Sequence, residues 1–175
     1  LRGRTFSGCE TCWMKGFGYG DWAPQQPLTL QTIMPVASVT KPIVGGAMMR
    51  AVAEGKLNLD AGINDYLPFR VVNPHRPTDR ITLRHLATHS SGITNRPAIY
   101  RQTNQFGHDP VQPLGNFLSA YFTPGGKYDA KENFLEAKPG EQRDYCNICA
   151  ALAGFVVERA VGAPLNVYTK REIFD

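Results

Sequence analysis

Ser38 and Lys41 are the residues whose types and spacing most clearly favour chemistry. They are the first and last residues of the segment Ser38-Val39-Thr40-Lys41. A serine hydroxyl is a weak nucleophile until a base accepts its proton. Residues three apart on a helix share a face, so the Lys41 amine can reach the Ser38 hydroxyl. The pair predicts a serine nucleophile with a lysine base, although a serine is also a common helix N-cap and such a tetrapeptide arises by chance.

The start of a helix is a favourable place for this pair. Unpaired backbone N–H groups there, including that of Ser38, can stabilise an oxyanion. The positive end of the helix dipole also favours the neutral, basic form of Lys41. We therefore expect Ser38 to be the nucleophile and Lys41 to be its proton acceptor.

Tyr145-Cys146-Asn147 is a second candidate segment. A phenol near a lysine can relay protons, and an asparagine amide can donate to a substrate carbonyl while accepting from the lysine. The ordinary structural alternative is that Tyr145 ends a short strand and Asn147 caps the helix that follows.

The elements that must position these residues are mostly helices. Apolar residues recur at helical spacing from about residue 38 to residue 54, in the rows Ile43, Ala47, Ala51 and Val44, Met48, Val52. Bulky residues alternate with glycine over residues 13–22, which predicts a strand, and residues 95–113 show no periodicity. The pattern indicates a helical domain or the helical portion of an α+β protein. Further helices are predicted over Leu83–His89 (capped by Thr82), Leu114–Phe122, Asn147–Val161 (ended by Gly162) and from Pro164 onward.

Several segments in a fixed order accompany the two motifs. Together they resemble the penicillin-binding-protein and serine β-lactamase family, which includes class C β-lactamases, D-Ala-D-Ala carboxypeptidases and esterases. The resemblance runs from about Gly16 to the end of the chain. The segments that carry it are Ala37–Pro42, Glu54–Asp60, Ile81–Gly92 and Pro139-Gly140 followed by Tyr145–Asn147.

The resemblance implies both a fold and an activity. The fold would be α+β, of the β-lactamase/transpeptidase type, with this chain covering mainly the helical region and the start of the α/β region. The activity would be acyl transfer to Ser38 and then hydrolysis of an amide, ester or β-lactam. Lys41 and Tyr145 would share the proton transfers, and Asn147 would position the substrate.

The chain departs from the family pattern in two places. Cys146 stands where the family usually has serine or alanine, a change of small residues that we expect to be tolerated. No Lys-Thr-Gly or His-x-Gly triplet, the family's third motif, follows Tyr145. We therefore expect residues 1–175 to be a partial hydrolase domain that lacks the C-terminal sheet portion and is inactive by itself.

Two alternatives to an active hydrolase stay open. One is a catalytically inactive or truncated member of the same family that serves as a scaffold or sensor. The other is a metal-binding module built on two cysteine pairs, Cys9/Cys12 and Cys146/Cys149. The wide separation of the pairs favours coincidence. His85 and His89 also have a metal-binding spacing but no further ligands, which favours structural roles.

Composition and charge limit the kinds of binding partner that this chain can have. The 175 residues carry a formal net charge of +4, but the basic residues are scattered, which argues against nucleic-acid binding. No apolar stretch is long enough for a transmembrane segment, and no signal peptide is visible. The expected partner is a small-molecule or peptide-like substrate, without a cofactor or metal. Oligomeric state and localisation stay open.

Overall fold

The chain divides into two compact units, residues 1–39 and residues 40–175. The computed structural model describes residues 2–7, 10–103, 105 and 108–175, with side chains described from residue 13 onward within these ranges. Cys9 and the side chain of Cys12, one half of the predicted metal-binding alternative, lie outside this description.

Two small antiparallel sheets make up the regular structure of the first unit. β1 (Arg2–Ser7) pairs with β2 (Glu10–Gly16), with Arg2 opposite Gly16. β3 (Tyr19–Asp21) pairs with β4 (Gln26–Pro27). The strand predicted over residues 13–22 is therefore confirmed but divided. A Cβ atom at Gly16 would overlap the carbonyl oxygen of Leu28, which explains why a glycine is needed among the bulky residues.

Helices dominate the second unit, and several of the predicted boundaries are confirmed. α4 and α5 begin and end at the residues that the periodicity predicts. α3 was not predicted, because a single turn that starts at a proline leaves no periodic pattern. The α-helices are α1 (Thr40–Ala53), α2 (Leu83–Ala87), α3 (Pro97–Tyr100), α4 (Leu114–Phe122), α5 (Asn147–Val161) and α6 (Leu165–Thr169), with a π-helical turn (Lys170–Phe174) after α6.

Local signals explain where α2 and α5 begin and end. Thr82 and His85 form a capping box at the start of α2: the Thr82 hydroxyl accepts from the His85 N–H, and the His85 ring accepts from the Thr82 N–H. α5 ends at Gly162, which adopts a left-handed conformation with φ of 71°. These short-range contacts orient the helices that carry the candidate site.

The core of the second unit forms where α1 packs against α5. α1 buries Val44, Ala47, Met48 and Ala51, while Ile43 and Val52 from the two predicted rows are only half-buried. A Cβ atom at Gly154 of α5 would lie 3.1 Å from Leu165 of α6, closer than most van der Waals contacts, so the glycine leaves room for α6, whereas its distance of 3.8 Å to Val44 of α1 would be an ordinary contact. The packing brings the first turn of α1 and the first turn of α5 into the same part of the molecule.

The part of the chain that the structure describes contains no single helix long and apolar enough to cross a membrane. Asn147–Val161 and Leu165–Phe174 reach the length and apolar composition of a membrane span only when they are taken together, and the two segments are bent by 77° relative to each other.

Candidate active site

Lys41 and Asn147 form the central contact of the candidate site. The Lys41 Nζ donates a hydrogen bond to the Asn147 Oδ1 at 2.7 Å, although 106 positions separate the residues. Lys41 lies in the first turn of α1, and Asn147 is the first residue of α5. Two motifs that are distant in the chain therefore converge.

Tyr145 completes this group. The Lys41 Nζ lies 4.7 Å from the centroid of the Tyr145 ring, within the range of a cation–π contact. The Tyr145 side chain is 46% exposed, so the ring is accessible to a ligand from solvent. Lys41, Tyr145 and Asn147 are thus brought together, and their predicted chemical roles stay predictions.

The first turn of α5 is capped by Cys146, which corrects the alternative in which Asn147 is the cap. The Cys146 Sγ accepts a hydrogen bond from the Cys149 N–H at 2.9 Å. Because the cap is supplied by the preceding residue, the Asn147 amide does not serve this structural purpose and instead contacts Lys41.

Asn95 holds both sides of the Tyr145–Asn147 segment. Its Oδ1 accepts from the Asn147 N–H at 2.8 Å, and its Nδ2 donates to the Tyr145 carbonyl oxygen at 2.8 Å. Sequence reasoning missed this positioning residue, which lies at the beginning of the stretch without periodicity. A polar side chain in such a stretch gives no signal of its partner some 50 residues away.

His89 supports the same segment from another side. Its Nδ1 accepts from the Cys146 N–H at 3.2 Å, its carbonyl oxygen accepts from the Asp144 N–H at 2.7 Å, and its ring centroid lies 4.7 Å from that of Tyr145. His89 also has a φ of 58°, a left-handed conformation that is uncommon for residues other than glycine. Since a backbone N–H can only donate, the Nδ1 of His89 must be unprotonated.

The surroundings of His89 favour this neutral form. Burial lowers the pKa of His89, and the nearby charges of Arg143 and Lys41 lower it further, while Asp144 opposes them. Burial likewise lowers the pKa of His85, whose Nδ1 accepts the Thr82 N–H at 3.2 Å. His85 and His89, whose spacing also suits a metal site, therefore each use Nδ1 to accept a hydrogen bond from a backbone N–H.

We expect His89→Asn to reduce the loss of stability in acid. Because the folded protein binds a proton at His89 less readily than the unfolded chain, stability is lost as the pH falls from about 6.5 through the lowered pKa of His89. Asparagine tolerates the left-handed backbone and does not titrate. Urea unfolding at pH 7.5 and pH 5.5 should show a smaller difference for His89→Asn than for wild type.

The control for this experiment is His75→Asn, which replaces an exposed ring and should retain the wild-type pH dependence. Equal pH dependence of His89→Asn and wild type would show that the ring does not need to be neutral in the folded state.

Ser38 lies in the 3₁₀ turn Ala37–Val39 at the end of the first unit, directly before α1 in the chain. Lys41 belongs to the second unit, so the two residues are related here by their separation of three positions in the sequence. Ala37 has a φ of 44°, and a non-glycine residue in the left-handed region is an unfavourable conformation that often accompanies functional sites. The residue before the predicted nucleophile therefore has an unusual backbone.

Cys146 and Cys149 are joined by a disulfide, so in this form they provide no thiolates for the metal-binding alternative. Within residues 2–7, 10–103, 105 and 108–175, no three His, Cys, Asp or Glu side chains are arranged to hold a metal ion.

Comparison with known proteins gives consistent matches over nearly the whole chain. The family model described as Beta-lactamase matches residues 8–175. The Esterase EstB of Burkholderia gladioli is 31% identical over 168 residues, which cover 89% of this chain and 39% of the esterase. This chain thus spans well under half of that relative.

Two solved structures illustrate the similarity in fold. The octameric penicillin-binding protein homologue from Pyrococcus abyssi is 30% identical, with a TM-score of 0.69 over 94% of this chain and 36% of that protein. The Beta-lactamase/D-alanine Carboxypeptidase from Yersinia pestis is 21% identical, with a TM-score of 0.65 over 92% of this chain and 43% of that protein.

Proposed function

The chain belongs to the beta-lactamase family, and we propose that it carries the nucleophile, base and substrate-positioning residues of a serine hydrolase. The predicted α+β fold of the β-lactamase/transpeptidase type is confirmed by the similarity to solved structures. The substrate class is an amide, ester or β-lactam, and the intermediate is an acyl-enzyme on Ser38. The observation that carries the proposal is the 2.7 Å hydrogen bond between Lys41 and Asn147.

The proton transfers fall to Lys41 and Tyr145. In acylation, Ser38 Oγ attacks the substrate carbonyl carbon while its proton passes to the Lys41 amine. The proton is then delivered to the leaving group, with the Tyr145 hydroxyl as a relay. In deacylation a water molecule attacks the ester on Ser38, and the same groups accept its proton and return one to Ser38. Both steps require Lys41 to alternate between its charged and neutral forms.

The Asn147 amide is suited to orient the substrate. Its Oδ1 accepts a hydrogen bond from Lys41. The other polar atom of the amide, Nδ2, is a donor and points away from Lys41. A substrate carbonyl oxygen can accept from this nitrogen. Asn95 and His89 hold the segment in place through the backbone, so the amide is pre-oriented before substrate binds.

The relatives are much longer than this chain, which bears on how the site is completed. We propose that residues 1–175 form part of the hydrolase domain and that the third motif, which would complete the substrate-binding wall, comes from elsewhere in the natural full-length protein. The activity proposed here is accordingly that of the natural protein.

Labelling with a fluorophosphonate probe tests the proposal. The natural full-length protein should take up one equivalent of the probe, and peptide mass spectrometry should place it on Ser38. A probe adduct mapped to another residue would refute the assignment of the nucleophile. Failure of the protein both to react with the probe and to hydrolyse esters, amides or lactams would favour the non-catalytic alternative.

Tyr145→Phe should slow turnover while leaving the fold intact, because only the hydroxyl is removed. We expect kcat to fall by about 10²-fold, the usual effect of losing a proton-transfer group, with the melting temperature unchanged. Steady-state hydrolysis of a chromogenic ester and a thermal melt measure both quantities.

Cys146→Ser is the matched control for Tyr145→Phe. Serine is the family's usual residue at this position and a good helix N-cap. In a reducing buffer, where neither protein has the Cys146–Cys149 disulfide, activity should be nearly that of wild type. Loss of activity in Cys146→Ser together with normal activity in Tyr145→Phe would show that the motif has been assigned to the wrong side chains.

A further inference from the structure

An apolar cavity of about 340 Å³ lies beside Asn147. The end of α3, the start of α4 and the first turn of α5 contribute to its walls. The volume falls within the range of roughly 300–1,000 Å³ that is usual for small-molecule sites. The carbon-rich part of the wall includes two prolines, Pro110 and Pro113, together with Tyr100, Leu114, Phe117, Ile148 and Ala151.

The cavity adjoins the candidate catalytic group through one residue. Asn147 lines the cavity and also accepts the hydrogen bond from Lys41. An acyl group whose carbonyl oxygen is held by the Asn147 amide would therefore have its substituent next to the cavity. Phe117 and Ile148 are 5% and 3% exposed, so the wall is supported by the packed core.

The chemistry of the wall restricts the occupant. None of the lining residues that the structure describes carries a charge, and their polar groups, besides Asn147 and the Tyr100 hydroxyl, belong to Thr103 and Gln112. Placing a carboxylate or ammonium group in such a site costs free energy because no opposite charge compensates for its lost hydration. An alkyl or aromatic group gains free energy there by leaving water.

We propose that this cavity binds an uncharged, apolar acyl group of the substrate. The inference rests on the proposed function and goes further by naming the substrate class: esters or amides of medium-length aliphatic or aromatic carboxylic acids. Acids whose acyl chain carries a charged group are disfavoured.

A series of p-nitrophenyl esters tests this selectivity on the natural full-length protein. From acetate through butyrate to hexanoate, kcat/KM should rise about fourfold for each methylene buried, or roughly 10²-fold across the series. The p-nitrophenyl monoester of glutaric acid, which carries a terminal carboxylate, should react more slowly than the butyrate.

Two variants locate the effect in the cavity. Ala151→Leu adds bulk to the wall and should lower the ratio of hexanoate to acetate kcat/KM by about tenfold. Leu114→Asp places a carboxylate at the wall and should lower the same ratio by about tenfold or more. Leu114 is 38% exposed and lies in the first turn of α4, where an acidic residue is compatible with the helix dipole, so this variant should fold even if Ala151→Leu does not.

Ala163→Leu is the matched control, because Ala163 lines a different surface hollow together with Phe155 and Glu158. Its kinetics should equal those of wild type for every ester. A flat chain-length profile in a protein that hydrolyses acetate through Ser38 would overturn the cavity assignment and leave the proposed function intact. A rising profile that neither variant changes would also overturn it. Failure to hydrolyse any ester, with Ser38 unmodified by the probe, would overturn both proposals.

Discussion

If the proposed function is right, Ser38→Ala should lower kcat/KM of the natural full-length protein for an ester substrate by about 10⁶-fold, comparable to the loss of the nucleophile in a characterised serine protease. The reason is that alanine lacks the Oγ atom that is proposed to form the acyl-enzyme, so the covalent intermediate cannot form. The unusual φ of 44° at Ala37, one residue earlier, fits a serine whose backbone is held for function. Stopped-flow measurement of p-nitrophenol release reports the acylation step directly, because an initial burst of product shows that the acyl-enzyme forms faster than it is hydrolysed.

Ser119→Ala provides the comparison for Ser38→Ala. Ser119 lies on α4, and its hydroxyl is 3.3 Å from that of Thr123, so the change removes a serine hydroxyl outside the proposed site. Its activity and probe labelling should match wild type. Retention of labelling in Ser38→Ala, with the adduct found on another residue, would show that the nucleophile lies elsewhere.

Lys41→Arg should reduce acylation about as strongly as Lys41→Ala, by about 10²-fold or more. Arginine retains the positive charge and can still donate a hydrogen bond to the Asn147 Oδ1, as Lys41 does at 2.7 Å. It cannot lose its proton near neutral pH, so it cannot accept the proton of Ser38. The variant therefore separates the function of Lys41 as a base from its function as a hydrogen-bonding partner.

Lys56→Arg is the control for this charge-conserving change. Lys56 pairs with Glu54 at 2.8 Å, and an arginine can make the same ion pair, so acylation should be unaffected. Near-normal acylation in Lys41→Arg would exclude Lys41 as the base and would leave it as a fixed positive charge beside Tyr145.

Much of the local structure is predictable from short stretches of sequence. α4 and α5 occupy the residues that their apolar periodicity indicates. Gly162 follows the last residue of α5 because the left-handed backbone conformation at that position favours glycine. That Ser38 and Lys41, three positions apart, lie about one helical turn from each other stays a prediction from the sequence. These features depend on contacts within a few residues, and the residues that determine them are adjacent in the chain.

The arrangement of the site was decided by tertiary structure. Lys41 meets Asn147 across 106 positions, and Asn95 and His89 bind the Tyr145–Asn147 segment from more than 50 positions away. Cys146, and not Asn147, caps α5. Hydrogen bonds of this kind depend on tertiary packing, because the directions of the side chains depend on where distant elements meet. The sequence by itself therefore determined the longer helices and the residue types of the candidate site, whereas packing determined which polar groups face one another.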